Sequence, residues 1–441
     1  MMNFFFHLFD SIQACFFRNL TWSMILHTYW FLFFVEFPRY YLIEIILVVR
    51  RNLFTYKERL KNRSFARMQL HVERPLVTVL VPGKNEGKHI YKLVTSLREQ
   101  TYQNFEIIIV DDGSDDATPM ICRDLEKNGF IDRYLRLESR GGKAAAANYG
   151  MYYAKGKYIV HLDADSSLDR DAIENILIPF YYDSNIKGVG GCVKVRNGDD
   201  NLCTSMQELE YLKTIQVGRL VTSTLGLYHI ISGAFGAFET KTIRDIGCWD
   251  IGPGLDGDIT QKLRKSGHRV YFAEDAICLT NVPTSWKRLW KQRLRWSKSL
   301  IRFRVRKHFD IICANKNFSF LNFLSNMDNI VFDCIFNYVW LIYILQLVFI
   351  YTDNLLEVMI IGWMIRLVFG VVSLIVVLMV SERAKEEKRL FYLLPIQTFY
   401  TGYFLRLARL CGHTMEIFFF SSYRDSWNPG KTSKAARLEG L

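Results

Sequence analysis

Apolar residues follow two patterns along this chain, and each predicts a different kind of structure. Between Val77 and about Asp275, short β-branched runs (residues 77–81, 107–110, 158–162 and 189–195) alternate with stretches of helical period such as 118–127 and 143–154. That alternation predicts an α/β domain whose mostly parallel sheet is covered on both faces. Elsewhere the apolar runs are longer, and a helix needs about 20 residues to cross a bilayer. Residues 330–351 and 355–380 are two such runs with a three-residue link, which predicts a transmembrane hairpin.

Two further apolar stretches are interrupted. Residues 20–49 are broken by Glu36, Pro38 and Arg39, which predicts one span, with residues 4–17 or 40–49 lying partly in the interface. Arg50, Arg51, Lys57, Arg59, Lys61, Arg63 and Arg67 follow, so that end is expected in the cytoplasm and the N-terminus outside. Residues 1–17 hold no Lys or Arg, so they lack the basic start of a secretory signal and are expected to be retained. Residues 390–420 are broken by Pro395, Gly402, Arg406, Arg409 and Gly412, which fits one span or a re-entrant segment. Between them these patterns divide the chain into a membrane segment with a basic linker (1–70), a cytoplasmic catalytic domain (71–285), an interface region (286–325) and a C-terminal transmembrane region with a cytoplasmic tail (326–441).

Composition sharpens this picture. Hydrophobic residues make up 50% of the chain, which excludes a disordered protein. The net charge of +12 admits nucleic acid, anionic lipid or a phosphorylated substrate. Position argues for lipid, because the basic residues gather beside apolar segments. Residues 286–309 hold ten Lys or Arg and no acid, interleaved with Leu289, Trp290, Leu294, Trp296, Leu300 and Ile301. This run predicts a basic amphipathic helix lying on the cytoplasmic leaflet, with no nucleic acid partner. Nine cysteines without a CxxC spacing point to reduced thiols and not to a zinc site or disulfides.

The candidate chemistry sits at strand ends. Asp111-Asp112 follows one predicted strand and Asp163-Ala164-Asp165 another, so both acidic pairs fall at the carboxyl edge where such sheets bind ligands. Alternate carboxylates there can share a hard divalent cation that neutralises a leaving diphosphate. A lone DxD is also compatible with a solvated helix cap ahead of Asp169. Four other features change the balance. They are Val81-Pro82-Gly83-Lys84-Asn85-Glu86, Asp111-Asp112-Gly113-Ser114, the Gly141-Gly142-Lys143 turn before a helix, and Gln292-Arg293-Leu294-Arg295-Trp296 in the basic run.

Taken in order, these motifs resemble the family 2 inverting glycosyltransferases, and within them the membrane synthases of hyaluronan, chitin, cellulose and poly-N-acetylglucosamine. The resemblance covers residues 77–298 and implies a GT-A fold flanked by membrane and interfacial helices. It implies that Pro82, Glu86 and Asp112 hold the uridine of a UDP-sugar donor. Lys143, Asp163 and Asp165 would hold its diphosphate and a Mg²⁺ or Mn²⁺ ion, with Asp163 and Asp165 as metal ligands. Arg293 and Arg295 would contact the diphosphate, Gln292 the acceptor, and Trp296 would form a platform under the growing saccharide. Ser232-Gly233-Ala234 resembles the acceptor-side loop. Accessory membrane or export proteins are among the partners such synthases admit.

The base position departs from the family pattern. Relatives carry Glu-Asp-x-Asp where this chain has Leu255-Asp256-Gly257-Asp258. Counting back from Gly267 assigns the base to Asp256 and leaves Asp258 either as the second aspartate or as a helix cap. Arg366 lies within a predicted span, where a charge faces a partner or a polar path. Glu36, Glu44 and Asp333 are its candidate partners. The resemblance implies a processive synthase that passes polymer outward. A transferase acting on a membrane lipid is the alternative, and an inactive scaffold is disfavoured because no metal or base carboxylate is missing.

Overall fold

The computed structural model describes residues 22–252, 254–315, 318–424 and 428–439. The stretch 4–17 considered above as interfacial lies outside the described residues. Eight strands form one sheet: β1 (Val77–Gly83), β2 (Phe105–Asp111), β3 (Arg133–Arg136), β4 (Tyr158–Leu162), β5 (Ser167–Leu168), β6 (Ile186–Val195), β7 (Phe235–Glu239) and β8 (Arg269–Thr280). Their spatial order is β3-β2-β1-β4-β7-β6-β8-β5. β3, β2, β1 and β4 are mutually parallel, β6 and β8 are parallel, and β7 runs antiparallel to both β4 and β6. The β-branched runs that mark β1, β2 and β4 are buried almost throughout. Apolar side chains cover both faces of the sheet, as the near-continuous hydrophobic runs require.

Seven helices position the site: α1 (Tyr56–Glu73), α2 (Lys143–Tyr153), α3 (Leu202–Tyr211), α4 (Leu255–Lys265), α5 (Trp286–Leu300), α6 (Leu405–Phe419) and α7 (Gly430–Leu438). α2 lies flat on the sheet because its inward face is Ala144, Ala147 and Gly150, with Ala146 also buried. α1 carries the basic residues that follow the first apolar stretch. Arg59 pairs with Glu274 at 2.6 Å, and Arg63 and Arg67 pair with Asp275 and Glu174, so these cations fasten α1 to the catalytic domain.

Among the described residues, two helices are long and apolar enough to cross a membrane, Phe320–Ile350 and Thr352–Val380. The helical stretch before α1 packs against them through Tyr29, Phe31 and Leu32 on Trp340, Tyr343 and Phe369. Two of its charges are paired across to the later helices. Arg39 binds Asp328 with both carboxylate oxygens, at 2.6 and 2.7 Å. Of the three candidate partners for Arg366, Glu36 is the one engaged, at 3.5 Å, and Arg406 shares it at 2.9 Å. Residues after the second of these helices return to the sheet, where Lys194 meets Glu387 at 3.0 Å and Arg383 meets Asp169 at 2.6 Å.

α6 follows and packs along α5, and α7 then crosses back to α2. Thr432 Oγ1 donates to the Gly141 carbonyl at 3.1 Å. Asn428 and Pro429 cover Gly142, where an added Cβ would stand 3.3 Å from Pro429 Cδ.

Candidate active site

Because β1, β2 and β4 are parallel, their carboxyl ends meet at one edge and carry Pro82, Glu86, Asp112, Asp163 and Asp165 there together. Pro82 is buried within β1 opposite Val110. Asp112 is buried and closes the Gly141–Gly142 turn. The Gly141 N–H donates to Asp112 Oδ1 at 2.6 Å, and the Gly142 N–H donates to Oδ2 at 2.9 Å. Gly142 adopts φ +92°, which L side chains rarely reach, and this turn aims the start of α2 at the cleft. Burial raises the Asp112 carboxyl, against the pull of the two amides. The side chain expected to hold a base therefore also fixes the loop beside it.

Lys143, the first residue of α2, forms an ion pair with Asp163. Burial lowers its ammonium, but Asp163, Asp256 and Asp165 together outweigh burial and raise it. Lys143 is therefore a fixed positive charge amid three carboxylates. Glu86 faces Asp165 and Asp163 from the end of β1. Burial, then Asp165 and Asp163, push its carboxyl up to about 7. Burial and Asp163 push Asp165 up to about 6. Burial and mutual repulsion outweigh the nearby cations at these two carboxyls and keep protons on them near neutrality.

Asp256 lies in the first turn of α4, half-buried, and its carboxylate rests against Gly233. An added Cβ on Gly233 would stand 2.7 Å from Asp256 Cγ, so the loop admits the carboxylate only because residue 233 has no side chain. His161 holds that loop from beneath, with Nδ1 donating to the Gly233 carbonyl at 2.8 Å. Ser232 shapes the same turn, its carbonyl accepting from Phe235 N–H at 3.2 Å. Burial raises the Asp256 carboxyl, Lys143 opposes this, and Asp163 adds to it. A half-buried carboxylate of raised basicity close to Lys143 and Asp163 suits proton abstraction.

Asp258 points the other way. Its two oxygens meet Lys307 Nζ and His308 Nε2, each at 2.8 Å, and the residue is 3% exposed. It neither caps α4 through its side chain nor faces the cleft. It anchors α4 to the segment after α5.

The basic run forms α5 and the helical turn after it, and several of its cations, mostly in that turn, bind protein. Arg293, Arg302 and Arg304 are buried, Lys307 pairs with Asp250 and Asp258, and Arg306 pairs with Glu416. The run looks unpartnered only because the acids that answer it lie in α3, α4, α6 and the loop before α4.

Arg293 was expected at the diphosphate. Its guanidinium instead donates to Glu210 Oε2 of α3 at 2.8 Å and stacks on Trp296, 4.3 Å from the ring centroid. Tyr400 also donates to Glu210, at 2.5 Å. Gln292 and Arg295 are half-buried, and Trp296 is 43% exposed. A cavity of about 180 Å³ opens beside Trp296, with Ser297, Asp333, Arg409 and His413 among its walls. A larger one, about 460 Å³, lies between α1 and β8 and shares none of these residues. Glu210, Tyr400 and Thr432 escaped the sequence reading because no motif contains them.

The oxygen donors Asp163, Asp165 and Glu86 suit a hard divalent cation, and burial together with the neighbouring carboxylates raises the carboxyls of Glu86 and Asp165. Among the described residues no three His, Cys, Asp or Glu side chains converge closely enough to form a ready metal cage, and Lys143 occupies Asp163.

Residues 78–246 match the family described as Glycosyl transferase family 2. The chain carries a family 2 glycosyltransferase domain. This domain contains Pro82, Glu86, Asp112, Lys143, Asp163, Asp165, Ser232 and Gly233, and Asp256 and α5 follow it. The poly-β-1,6-N-acetyl-D-glucosamine synthase of Staphylococcus epidermidis is 31% identical over 246 residues, which is 56% of this chain and 59% of that one. The synthase of the same name from Staphylococcus aureus is 32% identical over 224 residues, 50% of this chain and 54% of that one. The chain thus spans little more than half the length of these curated relatives. The mannosyltransferase PcManGT from Pyrobaculum calidifontis, solved with GDP-Man and Mn²⁺, aligns over 85% of this chain and 99% of its own. Its TM-score is 0.53 at 20% identity, which gives the family 2 domain the GT-A fold.

Proposed function

We propose that the protein polymerises N-acetylglucosamine from UDP-N-acetylglucosamine into a β-1,6-linked chain at the cytoplasmic face, and passes the product outward between its membrane helices. The observation that carries this reading is the Asp256 carboxylate, seated on Gly233 and facing Lys143 and Asp163. The sugar and linkage rest on the names of the two staphylococcal relatives.

In the reaction, Asp256 accepts the proton of the acceptor hydroxyl. The hydroxyl oxygen bonds to the anomeric carbon as the bond to the diphosphate breaks, so the configuration inverts and UDP leaves with the electron pair. Lys143 meets the charge that develops on the diphosphate. Glu86 and Asp112 would border the base and ribose, and Arg295 and Gln292 on α5 would serve the diphosphate and the acceptor. Asp163 and Asp165, with Glu86 beside them, would hold Mg²⁺ or Mn²⁺, which supplies Lewis-acid charge to the leaving diphosphate. Trp296 offers an apolar ring face on which the acceptor sugar packs.

The test is incubation of purified, membrane-reconstituted protein with labelled UDP-N-acetylglucosamine and a panel of other UDP-sugars, followed by product sizing. A polymer made only from UDP-N-acetylglucosamine and cleaved by a β-1,6-specific hydrolase supports the reading. Polymer from a different donor overturns the sugar, and a singly glycosylated lipid overturns polymerisation.

A further inference from the structure

Arg293 and Trp296 stand three residues apart on α5, so helical geometry alone makes them neighbours. Two residues from elsewhere fix how they meet. Glu210, from α3 of the catalytic domain, accepts from Arg293 Nη2 at 2.8 Å. Tyr400, from the helical segment that leads into α6, donates to the same Glu210 oxygen, Oε2, at 2.5 Å. All three side chains are more than nine-tenths buried, at 5% exposure for Arg293, 7% for Glu210 and 3% for Tyr400. A desolvated guanidinium held by a carboxylate through one Nη2 bond and packed against a ring has little freedom to turn its flat face. That face lies against the Trp296 indole, 4.3 Å from the ring centroid. The partly exposed indole and the Arg293–Glu210 pair border the same cavity, whose other walls include Ser297, Asp333, Arg409 and His413.

We propose that Glu210 and Tyr400 are positioning residues. Acting through Arg293, they set the Trp296 ring and so determine how long the saccharide grows before release. The inference rests on the reading of Trp296 as the acceptor platform. Glu210 belongs to the catalytic domain, Trp296 to the interface helix and Tyr400 to the returning membrane-side segment, so the latch ties the platform to the transfer site and the exit side together. A loosened platform still lets donor bind and a first sugar transfer. It fails to hold the end of the chain in register for the next addition.

Four variants in reconstituted protein test this, with product length measured per active molecule and UDP affinity measured alongside. Glu210→Gln removes the charge that holds Arg293 and should shorten the mean product about threefold, the scale of a weakened desolvated cation–π contact, with UDP affinity unchanged. Tyr400→Phe should shift length the same way by less, and Trp296→Ala at least as far as Glu210→Gln. Glu387→Gln breaks a different buried ion pair between the catalytic domain and the membrane-side turn, that with Lys194, and should leave length alone. If Trp296→Ala shortens the product and Glu210→Gln does not, the latch is wrong and the platform stands. Unchanged length in Trp296→Ala removes the platform and the latch with it. Equal shortening by Glu387→Gln would show general loosening and overturn the proposal.

Discussion

The Asp256 carboxylate and the Cα of Gly233 are in contact with no room for a methyl group between them: a Cβ at 233 would stand 2.7 Å from Cγ and 2.8 Å from Oδ2. Gly233→Ala should therefore push the carboxylate out of line while leaving the donor side untouched. Misplacement by about 1 Å costs on the order of a hundredfold in turnover. Turnover and UDP affinity measured on one preparation check this. Wild-type turnover in Gly233→Ala would mean that Asp256 is not where proton transfer occurs.

Asp256→Asn removes the proton acceptor without changing the shape of the site. Loss of a general base costs about 10²–10⁴-fold. UDP binding, followed by calorimetry, should stay close to wild type. Retention of roughly a tenth of the activity would move the base elsewhere.

Metal dependence should carry a pH signature. Glu86 and Asp165 have carboxyls raised to about 7 and about 6, so the folded protein holds protons there that the unfolded chain has released. Their contribution to stability is present below the ordinary carboxylate range and declines as pH rises through 6 to 7. A divalent cation that replaces those protons should then raise the melting temperature more at pH 7.5 than at pH 5.5. Thermal shifts with Mn²⁺ at the two pH values decide it. An equal shift at both, or activity undiminished in excess chelator, would remove Asp163 and Asp165 as ligands.

Asp258→Asn should act on stability. Burial alone would raise this carboxyl, yet His308 and Lys307 hold it below the ordinary range. Its stabilisation is therefore present above that range and lost as pH falls below it through the lowered folded value. Removing one partner of a buried ion pair costs about 3 kcal/mol. The melting temperature should drop, with UDP affinity per folded molecule preserved. A loss of turnover at unchanged melting temperature would return Asp258 to the reaction.

Trp296 and Trp290 occupy one helix in different surroundings: Trp296 borders the cavity, while Trp290 packs edge-on against Phe404 at 5.5 Å. Trp296→Ala should shorten products with donor binding intact, because the ring face that receives a sugar is lost. Trp290→Ala should lower yield and stability instead. Identical behaviour of the two would make Trp296 an anchor only.

Much of the site was legible because parallel strands bring their carboxyl ends to one edge, so Asp112, Asp163 and Asp165 had to meet once β2 and β4 were recognised from their β-branched runs. Asp256 could be separated from Asp258 only by counting from Gly267, since both lie in the first turn of α4. Partners distant in sequence were not legible. Glu210 sits 83 residues from Arg293 in a helix without a motif, and the basic run gave no hint that its arginines face acids within the protein. Charge patterning reports how many cations a helix carries, and only packing reports what they face.

Thr432 and Pro429 lie over the Gly141–Gly142 turn, and they come after both spanning helices in the chain. The remaining walls of the donor cleft, from Pro82 to Asp256, are synthesised before either of those helices. The segment that closes over this turn is therefore the last part of the site to be made, and a chain that stopped short of residue 428 would carry every motif and still leave the Gly141–Gly142 turn uncovered.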